Sequence, residues 1–463
     1  MPYLDKVGGA YPTSLTPNIP ALGARHDAPT CPSTPYLPHL RDLPTAFMKL
    51  YFPLLPLALL STSCLSEPST NDGEPETVTI LGSLTGVGQE IIEEAVAPFT
   101  EETGIEVIYE GTDAFATVLP IRVEGGDKPD IALFPQPGLM ADLAQEGALV
   151  PLDEFIAPDT LAYPSAWIEL GSVEDTLYGI WMRADPKSLV WYNPQAFEAA
   201  GYEIPQTWAA LIALSDQIVA DGKTPWCLGI ESGDATGWVG TDWIENILLS
   251  TAGTEIYDQW VAHEIPFNAP PVKQAAATFG EIALNPDYVV GGTTGIVSIP
   301  FGDSPAPLFE DPPGCYLHRQ ASFITDFLPE GLTPGENVSV FLLPSVNPEI
   351  DTPLLTGGIV FGQLNDTPAA RDLMTYLASA TPHEIWAARG YISPHKEVDL
   401  GSYPNDLVRQ QAEILANAQT IRFDGSDLMP AVVGTGTFWI GMVDYIGGED
   451  LDSVLQKIED SWP

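Results

Sequence analysis

"TVTILGSLTGVGQEIIEEAVAPFTEETGIEVIYEG", residues 77–111, is the stretch on which the fold turns. Residues 77–82 read as a strand of apolar and β-branched residues that stops at a glycine. Residues 88–103 then place apolar side chains at helical spacing, and Gly104 stands where a helix C-cap is expected. "IEVIYEG" returns to strand character, and a second helical stretch runs from Phe115 to Glu124. "PDIALFPQPG" (129–138) follows as a buried strand entering a loop, then "LMADLAQEG" as a short helix. This β-α-β-α-β order argues for a parallel sheet covered by helices. Ligands of such sheets lie beyond the carboxyl ends of the strands, which here carry residues 83–85, 111–113 and 135–138. Further on, "SLVWYNPQAFEAAGY" reads as a strand, then Asn193 as N-cap, Pro194 in the first turn and Gly201 as C-cap. Thr207 caps the amphipathic helix after it, so a second α/β region begins near Ser188.

At 463 residues the chain exceeds what one hydrophobic core serves, and two lobes are expected. Its 17 Lys and Arg against 63 Asp and Glu give a net charge of -46. Such a surface repels nucleic acid and anionic lipid headgroups and suits a neutral small ligand. The phosphate-cradling GxxxxGK[ST] and a strand-linked GxGxxG are absent, so the chain is not expected to hydrolyse nucleotide itself, and no cofactor is expected. Scattered histidines and the lack of CxxC give no metal-ligand spacing.

"MKLYFPLLPLALLSTSC" (48–64) has a basic start, an apolar run too short to span a bilayer, and small residues before Cys64. It resembles a bacterial lipoprotein signal in which Cys64 receives the lipid, although Leu60 sits four residues before the cysteine where three is commoner. Plain secretion is the alternative. On this reading residues 1–47 are an upstream extension, 48–63 a signal peptide and 64–76 a linker. Cys31 falls in the extension, which leaves Cys227 and Cys315 as a pair in an exported protein. A disulfide is the expectation for them, and two buried thiols the alternative.

Several stretches, in order and spacing, resemble one family. They include "VIYEGTDAF", "KPDIALFPQPGLMADLA", "GWVGTDWIENILL", "FGDSPAPLFEDPPGCYLHRQASFI" and "DLMPAVVGTGTFW". The chain is similar to the extracellular solute-binding proteins of carbohydrate ABC importers, the maltose-binding-protein group, and to its α-glucoside-binding branch. The resemblance implies an α/β, two-lobed periplasmic-binding-protein fold of type II, with a ligand cleft between lobes and three interlobe crossings. By analogy the crossings fall near residues 184–187, 329–338 and 392–400. Lobe 1 would then comprise 77–185 and 336–393, and lobe 2 would comprise 186–335 and 394–463. The implied protein is a monomer, anchored outside the cytoplasm. It would hand a disaccharide or glucosylated polyol to permease subunits driven by a separate ATPase.

A sugar offers hydroxyls at its rim and C–H groups on its faces, so its site needs planar acceptors and aromatic rings. Asp113 and Gln136 follow predicted strands. Glu231 follows the apolar run "WCLGI" and matches a carboxylate that the family places there. Asp242 is either a ligand contact or the N-cap of a helix beginning at Trp243. Trp439 matches a family ring that stacks on sugar, with Phe438 beside it in the core. Trp238 lies in a Gly-rich loop and is a second candidate ring; Trp181 and Trp386 are weaker ones. Trp191 and Trp208 read as core. Arg319 would use its forked guanidinium on vicinal hydroxyls, or pair with a surplus acid. The competing reading is a glycoside hydrolase with Glu231 and Asp242 as its acid pair.

Overall fold

The computed structural model describes residues 76–463. The upstream extension, the signal peptide, the linker before residue 76 and the lipid site at Cys64 lie outside these residues. In chain order the strands are β1 (Thr77–Gly82), β2 (Glu106–Gly111), β3 (Ile131–Phe134), β4 (Ser172–Val173), β5 (Thr176–Leu177), β6 (Gly179–Pro186), β7 (Leu189–Tyr192), β8 (His318–Arg319), β9 (Ser339–Leu342), β10 (Leu354–Gln363) and β11 (Ile421–Phe423).

The opening β-α-β-α-β reading holds. β1 pairs in parallel with β2 and with β3, and helices Val87–Thr103 and Phe115–Gly125 make the connections. β10 extends this sheet, antiparallel to β3 and β6 and parallel to β11. The second lobe has a smaller sheet in which β7 lies antiparallel to β8 and β9. Each lobe buries its own core. Val78, Ile131, Trp181, Phe361 and Trp386 belong to the first, and Trp226, Trp243, Trp260, Phe279 and Phe438 to the second. Trp191, Trp208 and Phe438 are buried, as their apolar surroundings suggest. Trp181 and Trp386 are fully buried too, which takes them out of reach of a ligand.

Local signals set the helix ends. Asn193 and Thr207 accept hydrogen bonds from Ala196 N and Ala210 N, satisfying backbone donors that the first turn leaves free. The helix expected from Trp243 begins five residues earlier, as Trp238–Val261, so Asp242 lies within its second turn and caps nothing. "WCLGI" forms no regular strand. Trp226 N donates to Tyr288 O and Cys227 N to Leu317 O, so isolated bridges satisfy this extended segment. Cys227 and Cys315 form a disulfide, with 5.6 Å between Cα atoms.

The chain passes between the two lobes three times: between β6 and β7, between β9 and β10, and, into helices of the second core, after β11. The second and third crossings lie further along than the sequence reading placed them. Val338 and Val340 are buried with Leu189 and Trp191, which keeps β9 in the second lobe. β11 still pairs with β10, which keeps residues 421–423 on the first sheet. Residues 336–342 and 421–423 therefore sit on the opposite lobe from the one expected.

Candidate functional site

The carboxyl ends of β1, β2 and β3 open onto a cleft of about 500 Å³. From the first lobe it is lined by the loop Ser83–Gly88, by Asp113 and by Gln136. Tyr109 stiffens that loop, its hydroxyl donating to Leu84 O (3.0 Å) and accepting from Leu84 N (3.1 Å). Gln136 is the residue before helix Pro137–Gln145, is buried, and has no hydrogen-bond partner for Oε1 among the described residues. Asp113 is exposed and faces the other lobe: a Cβ on Gly233 would lie 3.6 Å from its Oδ2.

The second lobe contributes an aromatic wall. Trp238 meets Phe301 edge-on with centroids 5.2 Å apart, and Phe323 lies 5.8 Å from Trp238. Phe327 extends the wall from Phe301 at 5.0 Å and is half exposed at the mouth. Trp439 closes the inner end, buried, with Nε1 unpartnered among the described residues.

The crossings supply the floor. Arg183, Asp185 and Lys187 come from the first; Asp424, Ser426 and Asp427 come from the third. Lys187 Nζ pairs with Asp424, with Asp242 Oδ1 at 3.0 Å and with Asp427 at 3.8 Å. Behind them, Arg319 Nη1 reaches Asp242 Oδ2 at 3.2 Å, and its Nη2 donates to Asp242 O (3.0 Å) and Asn246 Oδ1 (3.4 Å). Glu245 accepts from Gly425 N, Ser426 N and Tyr257 Oη. Four carboxyls thus share two cations out of water, which favours retained protons. Burial pushes Asp242 up to about 7 against the pull of Lys187. Burial also raises Asp427 and Glu245, with Asp424 adding to both. Asp424 itself is held below the usual carboxylate range: burial opposes its charge, but Lys187 prevails.

Of the seven ligand candidates read from the sequence, the structure brings Asp113, Gln136, Trp238 and Trp439 together in the cleft lining. Glu231, Asp242 and Arg319 are outside it. Glu231 Oε1 accepts from Gly233 N at 2.8 Å, which turns its carboxylate into its own turn. Asp242 and Arg319 are spent on each other beneath the floor. The sequence reading missed Phe301 and Phe323 of the wall and the charged or polar lining of Arg183, Asp185, Lys187, Asp326, Tyr391, Asp424 and Asp427. One signal was present: "RADPK" puts charges at alternating positions inside an apolar run, hence on one face of a buried strand.

Two α/β lobes with a ligand-sized cleft at their strand ends are an arrangement that holds a small ligand. The model of the bacterial extracellular solute-binding protein family matches residues 82–383, and the chain belongs to that family. It is 57% identical over 420 residues to the osmoprotective compounds-binding protein GgtB of Synechocystis sp., covering 90% of this chain and 99% of that one. It is 41% identical over 403 residues to the alpha-glucosides-binding periplasmic protein AglE of Rhizobium meliloti, covering 85% and 88%. Among solved structures, the bacterial solute receptor AcbH superposes with a TM-score of 0.74 at 18% identity, over 84% of this chain and 98% of that one. That likeness speaks to the fold.

Proposed function

We propose that this protein is the substrate-binding component of an ABC importer and captures a small neutral α-glucoside, a disaccharide or glucosylated polyol, without cleaving it. The observation that carries the reading is the make-up of the cleft. Gln136, Trp439 and Arg183, each with a polar atom unpartnered among the described residues, share the lining with Trp238, Phe301 and Phe323. Hydroxyl-rich rims and C–H faces match such a lining. Five Asp against one Arg and one Lys on the lining disfavour an anion. The names of the 57% and 41% identical relatives, an osmoprotectant binder and an α-glucoside binder, support the same ligand class. Permease subunits and a separate ATPase would take the ligand onward, with the binder tethered through Cys64.

The hydrolase reading fares worse on geometry. An acid pair must flank the scissile bond, yet neither Glu231 nor Asp242 lines the cleft. The test is a thermal-shift panel of trehalose, sucrose, maltose, glucosylglycerol, free glucose, a glucuronide and glycine betaine. A true ligand at a hundredfold excess over Kd stabilises by about 2.7 kcal/mol. Stabilisation by neutral glucosides alone is expected; a response confined to betaine or the glucuronide would overturn the reading.

A further inference from the structure

Arg183 is a buried charged group of the cleft whose bonding is incomplete. It sits near the end of β6, is 4% exposed, and lines the cavity. A guanidinium carries five N–H donors in one rigid plane. Among the described residues Arg183 places one of them: Nε donates to Asp185 Oδ2 at 3.0 Å, while Nη1 has no partner. Buried donors of native proteins are almost always satisfied, so unused ones beside a ligand cavity call for a partner that the chain does not supply.

The plane is held in place. The Tyr391 ring lies 4.3 Å from the guanidinium carbon and Phe323 lies 5.4 Å away, so rings from both lobes fix its orientation. Asp185 is itself anchored by Ser322 Oγ at 3.3 Å, and Asp326 accepts from Tyr391 Oη at 3.1 Å. Burial opposes the charge of Arg183, and the neighbouring Asp185, Tyr391 and Asp326 together more than offset that. Two carboxylates therefore already answer the charge. What remains on offer is a fixed fork of hydrogen-bond donors with no net positive charge left to attract an anion.

We infer that Arg183 is a ligand-contacting specificity residue, donating through its free Nη hydrogens to neighbouring oxygens of one sugar ring. This rests on the neutral-glucoside reading above and names the group that selects for it. The fork requires two adjacent acceptors at a set spacing, which vicinal ring hydroxyls provide. A lysine in its place keeps the charge beside Asp185 but loses the fork.

The experiment compares wild type, Arg183→Lys and Arg183→Gln by titration calorimetry against trehalose, sucrose, glucosylglycerol and their monodeoxyglucose derivatives. Arg183→Lys is expected to retain a ligand-free melting temperature near wild type and to bind the parent glucosides roughly 10- to 100-fold more weakly. Against the derivative lacking the contacted hydroxyl, that difference should largely vanish. A lysine variant that binds like wild type, or one whose deficit is the same for every deoxy derivative, makes the arginine a strut of the hinge and overturns the inference. The glutamine variant settles the case if the lysine variant fails to fold. A wild type that binds no glucoside sinks the parent reading as well, whereas normal wild-type binding matched by Arg183→Lys sinks this inference alone.

Discussion

Replacing Lys187 by Met should expose how the floor of the cleft is balanced. Its ammonium holds Asp242, Asp424 and Asp427, and Arg319 is the other cation of the cluster. Methionine fills much the same volume, so the substitution removes a charge and little packing. Deleting one partner of a buried ion pair typically costs about 3–5 kcal/mol, because the remaining charge is stranded. The acids left behind can relieve the strain by taking up protons, which ties the cost to pH. In the wild type Asp424 has a lowered pKa, so its share of stability is present above the unfolded value near 4 and lost as pH falls below it. Asp242 has a raised pKa, so its share is present below that value and lost as pH rises towards 7. Without Lys187 both carboxyls move up, and the folded variant binds more protons than its unfolded chain over a wider range. Its stability therefore falls as pH rises, at up to about 1.4 kcal/mol per pH unit for each proton. Glu245 and Asp427 push the same way, while Arg319 and the Tyr257 hydroxyl resist. Urea denaturation followed by tryptophan fluorescence at pH 5 and pH 8 measures this. The gap between wild type and variant should reach the full 3–5 kcal/mol at pH 8 and shrink to roughly half at pH 5. An equal gap at both pH values, or none at pH 8, would refute the charge balance described.

Gly237, just before helix Trp238–Val261, has φ of 119°, and a Cβ there would lie 2.1 Å from Trp439 O. Gly237→Ala should cost about 1–3 kcal/mol in backbone strain alone and weaken binding by displacing both tryptophans; unchanged affinity by calorimetry would remove those rings from the site. Replacing Cys227 and Cys315 together by Ala opens a link across 88 residues and should lower stability by about 2–5 kcal/mol in urea titration, with an unmoved midpoint counting against it. Glu231→Gln should leave affinity within about threefold of wild type, far from the roughly 1.5–3 kcal/mol of a charged hydrogen bond, and overnight incubation of either protein with trehalose should release no glucose. Glucose release lost in the variant would restore the acid-pair reading.

Where sequence periodicity carried the fold, it did so because the signal is local. The β1–β3 segment announces itself through turn glycines, a 3.6-residue apolar rhythm and short apolar runs, all within sixty residues. The caps at Asn193 and Thr207 are equally local, each a side chain bonded to the third residue after it. The crossings were displaced because a chain leaves a sheet where its ladder bonds stop, and those partners are far away. Leu343 N donates to Ser188 O, and Leu354 N to Thr420 O. "WCLGI" misled for a related reason: its composition is that of a strand, but Tyr288 and Leu317 satisfy its backbone one bond at a time.

The site divides along the same line. Asp113 and Gln136 could be placed on the cleft because strand ends are visible in sequence, and α/β sheets put ligands there; Trp238 was singled out by its Gly-rich surroundings, not by the helix start, which the sequence put at Trp243. The floor could not, since Lys187, Asp242 and Asp424 meet only when two crossings and one helix converge. The two arginines make the difference concrete. Both are buried, and each has a fork suited to vicinal hydroxyls. In the fold, the fork of Arg319 is directed to Asp242 and Asn246, residues more than seventy positions away. Arg183 makes its hydrogen bond to Asp185, two positions along its own strand, and leaves Nη1 without a partner among the described residues. A carboxylate two residues from an arginine lies on the same face of a strand and can engage it side-on, leaving the end of the fork free. Close spacing of opposite charges on a buried strand is therefore the sequence feature that separates Arg183 from Arg319, whose acid lies far along the chain.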